Sequence, residues 1–125
     1  MLKDLSPEIV KLIANGSRMS DLHDDVKRVI VVDVQRKLAA LKSKSYRSYY
    51  PEENSDLLVL NVWMVALDRM SVEYVYRILH AFMTGQIDHK GHLVGSAEFA
   101  SIHTNIKNYH IPDFKKEALL LLENK

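Results

Sequence analysis

Between Asp56 and Asp68 the chain reads LLVLNVWMVAL, eleven residues of which ten are apolar. A helix built from them has no polar face to turn toward water, and a helix that is apolar all round is ordinarily enclosed by its neighbours. Burying a Leu or Val side chain is worth roughly 1.5–3 kcal/mol over leaving it wet. The expectation is therefore a core helix over residues 56–69, at the centre of a bundle, with Leu58, Val62, Trp63 and Leu67 in the core. The competing reading is that part of this helix is a surface for self-association or for a partner.

The rest of the chain supplies helices to surround it. Ser6, Pro7 and Glu8 give a cap, a proline at the first helical position and a carboxylate at the positive helix end, and Asn15-Gly16 gives a stop. From near Ser20 onward, Leu22, Val26, Val29, Ile30, Val34, Leu38 and Leu41 recur at helical steps. The β-branched cluster over residues 29–32 is read as helix because that period continues on both sides of it. Ser71 caps a fourth helix with Val72, Val75, Tyr76, Leu79, Phe82 and Met83 on its inner face. Ser96 opens a fifth, aligning Phe99, Ile102, Ile106 and Tyr109, and Pro112 starts a sixth with Phe114, Ala118, Leu121 and Leu122. The predicted fold is all-α: one compact single-domain bundle of about six helices over residues 1–125, with Leu79, Phe82 and Phe99 in its core.

Composition narrows the function classes. A chain of 125 residues with 4 glycines and 3 prolines is of single-domain length and poor in breakers. Its net charge of +1 provides no global field to recruit nucleic acid or an anionic membrane. With no cysteine there is no disulfide, thiolate nucleophile or cysteine-rich zinc site. The opening residues lack the unbroken apolar stretch of a signal peptide. The run before Asp68 is about half the ~20 residues needed to span a bilayer. The protein is expected to be soluble and cytoplasmic, with no membrane association.

Few motifs carry chemistry. There is no phosphate-binding G-x-x-x-x-G-K-[ST] loop and no serine in a G-x-S-x-G elbow, so the reading is not an enzyme and needs no cofactor. Asp88, His89 and His92, with His103 further on, are metal-type ligands, but they lack a defined helical spacing and no metal site is assigned to them. The clearest electrostatic feature is residues 34–51, which hold Arg36, Lys37, Lys42, Lys44 and Arg47 without one acid, interleaved with Tyr46, Tyr49 and Tyr50. Cations neutralise phosphates and tyrosine rings stack on unpaired bases, which suits single-stranded DNA or a protein partner. The alternative is a solvated helix end followed by tyrosines packed on the bundle.

Within residues 62–102, Trp63, Leu67, Glu73, Ile78, Leu79, Ser96, Glu98 and Phe99 fall in a succession that resembles small helical phage replication proteins, of the replication protein P and helicase-loader kind. In that family a tryptophan helix, an acidic residue opening the next helix and a Glu-Phe or Gln-Phe pair recur. The proline expected before Ser96 is Gly95 here. The resemblance covers about a third of the chain and implies a non-enzymatic adaptor that binds a replicative helicase, and in some members single-stranded DNA. The alternatives are a sequence-tolerant nucleic-acid-binding domain and a structural or regulatory homo-oligomer.

Overall fold

A serine starts, and a glycine ends, each of two helices. The Ser6 hydroxyl accepts a hydrogen bond from the Ile9 amide at 3.3 Å, opening α1 (Pro7–Ala14). The Ser71 hydroxyl does the same for the Tyr74 amide at 3.1 Å, opening α4 (Val72–Met83). At the other ends Gly16 and Gly85 adopt φ of 69° and 77°, the left-handed region that a side chain resists. Each closes a paired cap: Gly16 and Ser17 amides donate to Ile13 and Leu12 carbonyls, and Gly85 and Gln86 amides donate to Phe82 and Ala81 carbonyls.

The computed structural model describes residues 2–41, 57–87 and 95–123. Among them the chain is all-α, with α2 (Asp24–Ala40), α3 (Leu57–Leu67), α5 (Ser96–Ser101) and α6 (Phe114–Glu123) completing the bundle. Short 3-10 turns lie at Leu2–Asp4, Met19–Asp21 and Ile102–Asn108. The β-branched residues 29–32 are helical, inside α2, as their flanking period requires. This helix starts at Asp24 instead of near Ser20 because the chain before it is held elsewhere. The Met19 amide donates to the Met70 carbonyl at 2.8 Å and the Val72 amide to the Ser17 carbonyl at 2.9 Å. This isolated bridge clamps the approach to α2 onto the α3–α4 turn. Lys27 and Asp68 pair at 2.9 Å alongside it.

The centre of the bundle is α4, not α3. Val72, Val75, Tyr76, Ile78, Leu79 and Ala81 are all fully buried, and α4 packs against α1, α2, α6 and the 3-10 turn Ile102–Asn108. By contrast α3 packs on α2 and α5 and buries one stripe: Leu60, Trp63, Met64 and Leu67. Leu58 and Val62, expected in the core, are 73% and 50% exposed. The reason is geometric. At about 100° per residue they project from the side of the helix opposite Leu60, Trp63 and Leu67, and neighbours cover only one side. Trp63, Leu67, Leu79, Phe82 and Phe99 are buried as expected.

Two further stripe residues differ. Val29 is exposed and Met83 partly so, whereas Val31, Val32 and Gln35 are buried. Since α2 touches both α3 and α4, its buried arc is broad, about 200° by helical geometry, and turned away from Val29. Phe99 joins three helices: its ring centroid lies 5.5 Å from that of Trp63 and 6.0 Å from that of Phe82.

Candidate partner-binding face

The apolar run before Asp68 divides into two faces with different fates. Leu58, Val62 and Val65 succeed one another at steps of four and three, so they form one line along α3, and Arg69 follows in the turn just past its end. The first three are 73%, 50% and 76% exposed, and Val59 flanks them. Scattered apolar residues on a surface need no explanation, but these stand in line and form one continuous apolar strip on the helix.

The line runs into a groove of about 720 Å³. Val65 and Ala66 of α3 line it with Ala97, Ala100 and Ser101 of α5, Arg69 and Ser71 of the turn after α3, and Tyr74 and Arg18. Arg18 reaches this place because the bridge to Ser71 holds its backbone there, and its guanidinium donates to the Arg69 carbonyl. Neither Arg18 nor Arg69 forms an ion pair with a carboxylate among the described residues. Tyr74 lies beneath the Arg77 guanidinium, 5.4 Å from ring centroid to charge. The groove thus sets Val65, Met70 and the three alanines beside two guanidiniums, at the foot of the apolar line.

A second polar cluster, partly buried, joins α2 to α4. The Tyr76 hydroxyl donates to Asp33 Oδ2 at 2.8 Å, and Lys37 Nζ donates to the same oxygen at 2.9 Å. Burial, and then the neighbouring Asp33 charge, hold the Tyr76 phenol far above the ordinary tyrosine range. A phenol that stays neutral here is a fixed donor locking α2 to α4. His80 is shifted the other way: burial is the largest cause lowering its pKa, opposed by the Glu117 carboxylate, and its ring meets Phe114 edge-on at 5.4 Å. Its neutral form is the one the fold prefers. As pH falls through 6.5 the unfolded chain takes up this proton before the folded one does, so stability is lost on the acid side. Urea midpoints at pH 7.5 and pH 5.5 should therefore differ more for the wild type than for His80→Gln.

The basic stretch named from the sequence is only partly described. Arg36 is exposed on α2. Lys37 is paired with Asp33 and lies 5.7 Å from the Tyr76 ring centroid, which engages its charge within the fold while its side chain keeps some solvent contact. Lys42, Lys44, Tyr46, Arg47, Tyr49 and Tyr50 lie outside the described residues, as do Asp88, His89, His92 and the side chain of His103. Among the described residues no cluster of three or more His, Asp or Glu could hold a metal ion. None of the described helices is long and apolar enough to cross a membrane.

Sequence reasoning missed Val65, Arg69, Tyr74 and Arg18. The outer steps from Leu58 look the same in the sequence as the inner steps from Leu60, and Arg18 arrives through a backbone contact that no side-chain pattern announces. Searched against protein-family models, curated proteins and solved structures, the chain gives no match in any of the three.

Proposed function

We propose that this chain is a non-enzymatic adaptor acting by protein–protein contact, with the outer face of α3 as its docking surface. The observation that carries the reading is the exposure of Leu58, Val62 and Val65 in one line. Each such side chain contributes up to about 1.5–3 kcal/mol when a partner covers it fully. The partner implied by the resemblance to phage replication proteins is a replicative helicase, which would make the chain a loader-like factor in DNA replication. Most residues of that resemblance serve the fold. Trp63, Leu67, Ile78, Leu79 and Phe99 are buried, and the Glu73 carboxylate accepts from the Lys115 amide at 2.8 Å, satisfying the start of α6. They organise the helical hairpin and leave the outer face of α3 to the partner.

Photo-crosslinking in the native host tests this. A photoreactive residue at Leu58 or Val65 should yield one discrete heterologous adduct, and the same residue at exposed Lys107 should not. A hexameric ATPase in that adduct supports the helicase reading. Adducts only with a second copy of the chain would replace the adaptor by a homo-oligomer, and no adduct at either α3 position would defeat the proposal.

A further inference from the structure

We infer that the segment received by this face is an amphipathic helix of about three turns, apolar along the side that meets Leu58, Val62 and Val65 and acidic at the end that meets Arg18 and Arg69. The inference rests on the adaptor reading and names the chemistry of its partner.

Length sets the first limit. From Leu58 to Val65 α3 advances seven residues, about 10 Å at 1.5 Å per residue, and Arg69 follows just past its end, so a partner helix of about three turns spans the apolar line and reaches the arginine. Shape sets the next. The small side chains of Ala66, Ala97 and Ala100 leave the surface where α3 meets α5 open to an approaching helix. Helix-in-groove recognition uses apolar anchors at steps of three and four, and the receiving line on α3 has that spacing.

Charge supplies the rest. The groove holds two exposed guanidiniums, and neither has a carboxylate partner among the described residues. Arginine forms bidentate pairs with carboxylates, so Asp or Glu on the arriving helix completes both. Phosphates would also pair with them, and Tyr74 offers a ring. Yet a nucleic-acid backbone has nothing to cover Leu58, Val62 and Val65, whose combined exposure is the larger feature of the site. A protein helix covers the apolar line and meets the two arginines at once.

The test is a displayed library of 14-residue helical peptides, randomised over apolar, acidic, basic and neutral residues and selected on the full-length chain. Binders should carry apolar residues at steps of three and four with Asp or Glu confined to one end. Their affinity should fall at least ten-fold on Arg69→Glu, further on Arg18→Glu with Arg69→Glu, and should recover toward those variants when the acidic end is changed to lysine. Circular dichroism melts of each variant separate lost binding from lost folding. Binders that are apolar at the right steps but indifferent to end charge would overturn the acidic-helix inference while leaving the adaptor reading intact. Binders unaffected by Val65→Asp would overturn both. Preferential binding of oligodeoxythymidine, lost on Arg69→Glu, would assign the arginines to nucleic acid instead. A dimer in sedimentation that Val65→Asp dissociates would make a second copy the occupant.

Discussion

Phe99→Ala is expected to lower the free energy of unfolding by about 3–5 kcal/mol, the range for removing a large aromatic from a packed core. The ring is fully buried, and it lies between Trp63 of α3 and Phe82 of α4. Its loss leaves a void bordered by three helices, and the six-residue α5 has little else to hold it, since Phe99 is its one buried residue. Against a typical total of about 5–15 kcal/mol, this is a large fraction of the stability. Leu58→Ser, on the outer face of the adjacent helix, should shift stability by only about 0.5 kcal/mol. Urea denaturation of both variants reads the contrast directly. A Phe99→Ala cost below about 1 kcal/mol would mean that α5 does not dock where the structure has it.

Asp33→Ala is expected to cost about 1–3 kcal/mol, mostly from the Tyr76 hydroxyl it strands. That residue is fully buried, and Asp33 Oδ2 is the acceptor to which the hydroxyl donates. The Lys37 contact adds less, because both side chains of the pair retain solvent contact, at 31% and 23% exposure. Tyr76→Phe should be milder, about 0.5–1.5 kcal/mol, because it removes the donor itself and leaves Asp33 with Lys37. The double variant should then cost less than the sum of the two, since the stranded hydroxyl exists only in Asp33→Ala. Strict additivity in a double-mutant cycle would show that the two groups do not meet.

These two sites also show what the chain discloses before folding. Phe99 was legible: an aromatic at the right step in an apolar helical pattern, with Trp63, Leu79 and Phe82 placed by the same logic. The Asp33–Tyr76 bond was not, because it joins residues 43 apart on two helices whose rotation about their axes no local period reports. The same ignorance of rotation misplaced Val29, which the broad buried arc of α2 excludes. In α3 the difficulty was different. Where ten of eleven residues are apolar, hydropathy carries no phase, so the inner line through Leu60 and Leu67 and the outer line through Leu58 and Val65 look alike. Only the positions of α2 and α5 tell them apart. Arg18 joined the site through the backbone bridge to Ser71, a contact set by chain path alone.

The absence of native cysteine makes that division of α3 directly measurable. Single cysteines placed at Leu58, Val65, Leu60 and Leu67 report thiol access in an otherwise unreactive chain. Under native conditions the first two should label with a maleimide at nearly the rate of a free peptide, and the last two at least about a hundred-fold more slowly, limited by unfolding. Equal protection at Val65 and Leu67 would mean that the helix is enclosed on every side, and the docking face would not exist.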